Sequence, residues 1–111
     1  MSYWIISVVD ANSKGAHPHY ELGEMSMSCS WNYINMMSHL PCGWAREWQG
    51  KLAEDMINPV YGSIVELNAN REKYVQYELE NNLGTIETCR EILEDALKLF
   101  REYPEGIIRV D

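Results

Sequence analysis

The chain reads as an α+β domain: a small antiparallel sheet of about three strands packed against three to four helices. Three observations predict this. Residues 24–31 alternate Met25, Met27, Cys29 and Trp31 with Ser26, Ser28 and Ser30, the period of two of a strand with one apolar face. Tyr3–Val9 (YWIISVV) is rich in aromatic and β-branched residues and almost unbroken in apolarity, as expected of a strand covered on both faces. From Trp44 the period lengthens. Trp44, Trp48 and Leu52 recur every four residues, joined by Ala45, Met56 and Ile57, which is one face of a helix.

The remaining elements follow in order. Residues 10–23 carry two glycines, a proline, Asn12 and Ser13 and read as a loop. Residues 32–43 read as irregular, closed by Pro41-Cys42-Gly43. Asn58-Pro59 should end the first long helix and start another, because Asn caps well and Pro fits the first helical position. Val60, Ile64, Leu67 and Asn68 then share a stripe. Gly62 within it costs ~1 kcal/mol relative to Ala, so packing requires a small residue there or the helix is irregular. Residues 71–80 read either as a short helix with Val75 and Leu79 facing inward or, given Tyr74 and Tyr77, as an extended segment. The last helix starts at a Thr85 cap and carries Ile86, Cys89, Leu93, Ala96, Leu97, Phe100 and Tyr103 at helical spacing. Glu87 in its first turn and Lys98 and Arg101 near its end suit the helix dipole. Pro104 stops it, and Ile107–Val110 reads as a terminal strand set against Tyr3–Val9.

With 111 residues, the whole chain (1–111) fits one domain. Its net charge is −8 and is unevenly spread: −1 over residues 1–53 and −7 over residues 54–111. Such a field disfavours direct nucleic-acid contact and anionic membranes, and it attracts basic protein surfaces. Three cysteines without a C-x-x-C spacing fit a reducing compartment. No apolar run approaches the ~20 residues of a membrane span. The expected location is therefore the cytoplasm. Four Trp and seven Tyr against one Phe suit half-wet surfaces. Homodimerisation through exposed aromatics is open, although no heptad specifies it.

Four groups of residues carry candidate chemistry. His17-Pro18-His19 puts two imidazoles on a loop, but no second paired spacing completes a zinc set, so neither a metal nor a cofactor is expected. Cys42 lies three residues from His39 and just before a helix, the neighbourhood that activates a thiol. A Cys42-dependent enzyme is the weakest alternative, because no orienting group or oxyanion hole can be named. Trp31, Asn32, Tyr33 and Asn35, with Trp44 and Trp48, read two ways. They form a core corner in which the amides tie down backbone, or a face that stacks on a planar heterocycle such as a nucleotide-like signal, with Arg46 as a nearby cation. Glu87, Glu91 and Glu94 lie on one helical face beside Arg90 and Lys98. They read as a solvated stripe or as a partner-binding surface.

The order of these pieces resembles that of small phage- and prophage-type accessory proteins. The matching segments are residues 2–10, the strand and aromatic–Asn patch of residues 23–35, Asn82-Leu83-Gly84 before a helix, and Pro104-Glu105-Gly106-Ile107 after it. Where that patch usually reads Asn-x-Thr-x-Asn, this chain has Trp31-Asn32-Tyr33-Ile34-Asn35. The resemblance brings no enzymatic activity. It implies an accessory product that works by binding host proteins or small signals.

Charge, missing catalytic spacing and resemblance together give one expectation. The chain is a non-enzymatic acidic interaction protein, an inhibitor that binds a basic surface of a host nucleic-acid-handling or defence protein through Glu87, Glu91 and Glu94.

Overall fold

The computed structural model describes residues 3–9, 27–30, 33–78 and 85–110. In chain order the elements are β1 (Tyr3–Val9), β2 (Met27–Ser30), α1 (Ile34–Ser38), a 3-10 turn (Ala45–Trp48), α2 (Ala53–Ala69), α3 (Arg71–Tyr74), a second 3-10 turn (Val75–Tyr77), α4 (Ile86–Glu102) and β3 (Ile107–Val110).

The expected fold class needs correction. The described residues are mostly helical, with four α-helices, and strands are a minor part. β1 pairs antiparallel with β2 through residues 3–6 and with β3 through residues 6–9, in the order β2-β1-β3. The two ladders overlap only at Ile6, which faces both Met27 and Val110. Elsewhere, among the described residues, the sheet is two strands wide. It cannot act as the floor of an α+β sandwich, and the core is built chiefly between helices.

Two helical segments account for the shift in balance. Residues 34–38, expected to be irregular, form α1 and bury Met36 and Met37. Asn58-Pro59 does not break the chain, and α2 runs through Pro59 for seventeen residues. The proline removes only the amide that would bond the Asp55 carbonyl near the start of the helix. The buried faces before and after it stay in phase: Ala53, Met56, Val60, Ile64 and Leu67 all point inward. The break instead falls earlier. The helix read from Trp44 onward is interrupted at Gly50, which has φ +84°, a conformation that glycine adopts at little cost. Its N–H donates to Ile108 O (2.8 Å), and Lys51 O accepts from Ile108 N (2.8 Å). β3 therefore fixes where α2 can begin.

Among the described residues nothing lies within 4 Å of where a Cβ on Gly62 would stand, so none of them requires a glycine there. Residues 71–77 coil, the helical one of the two readings, but Val75 is exposed and Tyr74 takes the buried place. Tightening to 3-10 geometry after Tyr74 rotates Val75 away from the core. Leu79 lies outside the described residues.

α2 and α4 form the main layer. They run antiparallel: Asn68, late in α2, meets Arg90, early in α4, while Tyr61 meets Arg101, late in α4. Ile86, Cys89, Leu93, Ala96, Leu97, Leu99 and Phe100 are buried on α4. Phe100 meets Trp48 edge-on at 5.8 Å, a favoured aromatic geometry. Ile6, Val8 and Ile108 complete the core from the strands.

Candidate functional site

α4 divides cleanly into two faces, and the sequence dictates both. Its apolar residues recur at three- and four-residue spacing, so one side goes inward and Glu87, Glu91, Glu94, Asp95, Lys98 and Glu102 go outward. The start of the helix is firmly held. Thr85 Oγ1 accepts from the Thr88 N–H (3.2 Å), and the Ile86 N–H donates to Glu78 Oε2 (2.8 Å). Tyr33 OH donates to Thr88 Oγ1 (2.7 Å). The first turn is thereby tied to α1 and to the end of the second 3-10 turn.

The three glutamates expected to bind a partner share this outward face but differ in surroundings. Glu87 hydrogen-bonds and ion-pairs with Arg71 of α3. That bond, with a further one from backbone, holds its carboxyl below the usual range. Glu94 stands 3.4 Å from Arg90. Glu91 is exposed between them. The stripe is thus acidic but interleaved with arginine, which surface pairs of this kind hold only weakly.

The aromatic–amide group divides differently. Tyr33 and Trp44 are buried, and Trp48 is completely so. The Trp48 indole donates to Cys42 O (2.8 Å), which satisfies the one polar atom of a ring otherwise spent in packing. Asn35 and Arg46 are exposed. The Asn35 backbone carbonyl lies 2.7 Å from His39 Nδ1. Trp31 and Asn32 lie outside the described residues. The structure therefore brings Tyr33, Trp44 and Trp48 into the core and leaves no open ring face among them for a heterocycle to stack on.

Cys42 is also buried. Desolvation pushes its thiol up to about 11, against smaller lowering from Ser63 and its own backbone. At neutral pH it is therefore a thiol rather than the reactive thiolate. His39 faces outward, stacked on Tyr77 with centroids 4.4 Å apart. Cys89 is buried in α4. Among the described residues no group of three or more His, Cys, Asp or Glu could hold a metal ion. His17 and His19 lie outside the described residues.

Sequence reasoning missed the elbow between α2 and α3. Tyr74 OH donates to Glu66 Oε2 (2.6 Å), Asn70 Nδ2 donates to Glu66 Oε1 (2.6 Å), and Lys73 Nζ lies 3.6 Å away. The Tyr74 and Asn70 hydrogen bonds, helped by Lys73, hold the Glu66 carboxyl below its ordinary range. Burial and the facing carboxylate raise Tyr74. Only Glu66–Asn70, four apart on a helix, was readable in advance. An open groove of about 570 Å³, lined by residues 68–73, adjoins this elbow. Its cations are already opposed: Arg71 by Glu87 and Lys73 by Glu66. An anion would have to displace carboxylates to enter.

No family model, curated protein or solved structure matches the chain. No helix among the described residues is long and apolar enough to cross a membrane.

Proposed function

We propose that the chain is a non-enzymatic interaction protein that engages a basic surface of another protein through the outer face of α4. One observation carries this reading. The exposed carboxylates Glu87, Glu91, Glu94, Asp95 and Glu102 lie along one helix whose apolar residues are buried in the core. The carboxylates are therefore presented on a rigid rod rather than on loops. Exposed acidic groups on a fixed frame steer cationic partners and set register more than they add affinity. The arginines between them restrict which pattern of positive charge fits. The resemblance to phage-type accessory proteins supplies the setting: the partner is a host protein that handles nucleic acid and has a basic surface for that purpose. Buried rings and a protonated Cys42 give neither the nucleotide-sequestering nor the cysteine-enzyme reading a comparable footing.

The test is capture from host extract with the immobilised protein at low and at high salt. Specific proteins should be retained at low salt and released as salt screens the contact. The triple variant Glu87→Lys, Glu91→Lys, Glu94→Lys should retain none of them. Retention unchanged by salt or by the triple variant would rule out this face.

A further inference from the structure

α3 and the second 3-10 turn, with Glu78 after them, make a short segment that is joined to the rest of the domain chiefly by polar contacts. Tyr74 is its one buried residue; Tyr77 and Glu78 are half-buried and the others exposed. A segment with so little apolar burial opens more readily than the core. Carboxylates fasten it at three places. Glu66 of α2 accepts from Tyr74 OH (2.6 Å) and from Asn70 Nδ2 (2.6 Å), with Lys73 Nζ 3.6 Å away. Glu87 of α4 pairs with Arg71. Glu78 Oε2 accepts from the Ile86 N–H (2.8 Å) at the start of α4. Asn70, where the chain leaves α2, has φ −126° and ψ 44°. The helix is therefore already broken at the point about which the segment would pivot.

We propose that residues 71–78 are an acid-released strap, which swings about Asn70 as one unit while α2 and α4 stay packed. The fasteners are of one chemical kind and lie on one short segment, so protonation weakens them over the same range. A hydrogen bond to an ionised group is roughly twice as strong as a neutral one, and a protonated carboxyl gives up that advantage. Lys73, Tyr74 and Asn70 face Glu66, with Tyr77 beyond Tyr74. Arg71 and Arg90 face Glu87. The positive end of α4 faces Glu78 through the Ile86 amide. His39, after α1, reaches the segment through its ring stack on Tyr77 (4.4 Å) and its carbonyl, 3.5 Å from Tyr74 OH. The Tyr74 and Asn70 hydrogen bonds hold the Glu66 carboxyl below its ordinary 4.5, and the Arg71 hydrogen bond does the same for Glu87. In the open strap both return to ordinary values. The open form then binds protons more readily, so the strap is held above 4.5 and released as pH falls below it. The buried faces of α2 and α4 carry no carboxylate, so they do not share this dependence. Opening takes Tyr74 out of the core and lifts Arg71 off the outer face of α4. It needs no partner and does not rest on the function proposed above.

NMR of the full chain alone, titrated from about pH 7 to about pH 3 at constant salt, tests the strap. The Tyr74 and Tyr77 ring signals and the Ile86 amide should move together toward solvated positions, with one midpoint below 4.5. The Trp48 indole and the Phe100 ring, both in the core, should hold their places. The ratio of open to closed strap should rise about tenfold or more over the titration. Glu66→Gln should show part of the solvated Tyr74 signal already at neutral pH and cut the acid-driven rise by about threefold or more. Adding Glu87→Gln should nearly abolish it, and an unmoved Trp48 indole shows that each variant is folded. His39→Phe keeps a ring on Tyr77 without an imidazole and should leave the acid step in place. The proposal is overturned if Tyr74 and Trp48 move together, if Tyr74 stays buried until the whole chain unfolds, or if the double variant responds as the wild type does. Loss of the step in His39→Phe would overturn it too, since the imidazole and not the carboxylates would then be the trigger.

Discussion

α2 and α4 are both seventeen residues long and lie side by side, yet they are specified in different ways. α4 carries its instructions locally. Thr85 caps it, its apolar residues keep helical phase, and its acid and base fall at the ends the dipole prefers. α2 begins at Leu52, which provides no side-chain cap. Its first amides are satisfied from far along the chain: Ala53 N–H donates to Gly106 O (2.8 Å) and Glu54 N–H to Pro104 O (3.0 Å). The turn that ends α4 therefore caps the start of α2. One helix can be read from its own residues, and the other exists in this form because the first is in place.

The largest expected effect tests that dependence. Phe100 is fully buried near the end of α4 and packs against Trp48 just ahead of α2. Phe100→Ala should cost about 3–5 kcal/mol in denaturant unfolding. If α2 leans on α4 as described, hydrogen exchange at Ala53 and Glu54 should accelerate together with that of α4. Protection of α2 that survives the loss of α4 packing would break the comparison.

This dependence explains how much of the molecule was legible. Thr85, the α4 stripe and Pro104 sit within reach of one another, so their local signals agree and the helix falls at Ile86–Glu102 as its residues predict. The end of the first long helix at Pro59 was misread because a local stop signal was outweighed by burial on both sides of it. Likewise Val75 and Tyr74 exchange places because Glu66, eight residues before Tyr74, accepts its hydroxyl. The outward placing of Glu87, Glu91 and Glu94 follows from periodicity alone. Arg90, four residues before Glu94, follows from the same spacing, but Arg71 does not, since it reaches Glu87 across sixteen residues. A cluster made by tertiary approach leaves no spacing to find.

A second contrast lies in the buried faces. That of α4 is apolar apart from a cysteine, whereas α2 buries Ser63. The Ser63 hydroxyl accepts from the Cys42 N–H (2.9 Å) and donates to Pro59 O (2.8 Å), tying the turn ahead of the first 3-10 segment to α2. Cys42 is buried there, and desolvation raises its thiol from 9.0 to about 11 against a smaller lowering by the Ser63 contact. A raised thiol stabilises the fold fully below the unfolded value, and that contribution is lost as pH climbs through the folded value. Unfolding free energy should therefore fall by about 2–3 kcal/mol between pH 9.0 and about 11 through this group. Cys42→Ala should flatten that part of the profile, and what remains should belong partly to Tyr74, which is also raised. An unchanged alkaline slope in Cys42→Ala would mean that the thiol is not buried in the folded chain.

The caps give a smaller effect and sharpen the comparison at the helix starts. Thr85→Ala removes the acceptor for Thr88 N–H and should cost about 1 kcal/mol. The Glu78 carboxylate on Ile86 N–H limits the loss to one of the exposed amides. The change should appear in the unfolding midpoint with little change in its denaturant dependence.

The smallest effect runs in the other direction and belongs to α2. Replacing Gly62 with Ala brings a methyl group within 4 Å of none of the described residues, so none of them has to move. The alanine loses less backbone freedom on folding than glycine does. Gly62→Ala should therefore stabilise the chain by about 0.5–1 kcal/mol. The same substitution in the interior of α4 is not available, because that helix contains no glycine. If Gly62→Ala instead destabilises the protein, the outer face of α2 is already in contact with something within the fold, and the contrast with the solvent-facing carboxylates of α4 disappears.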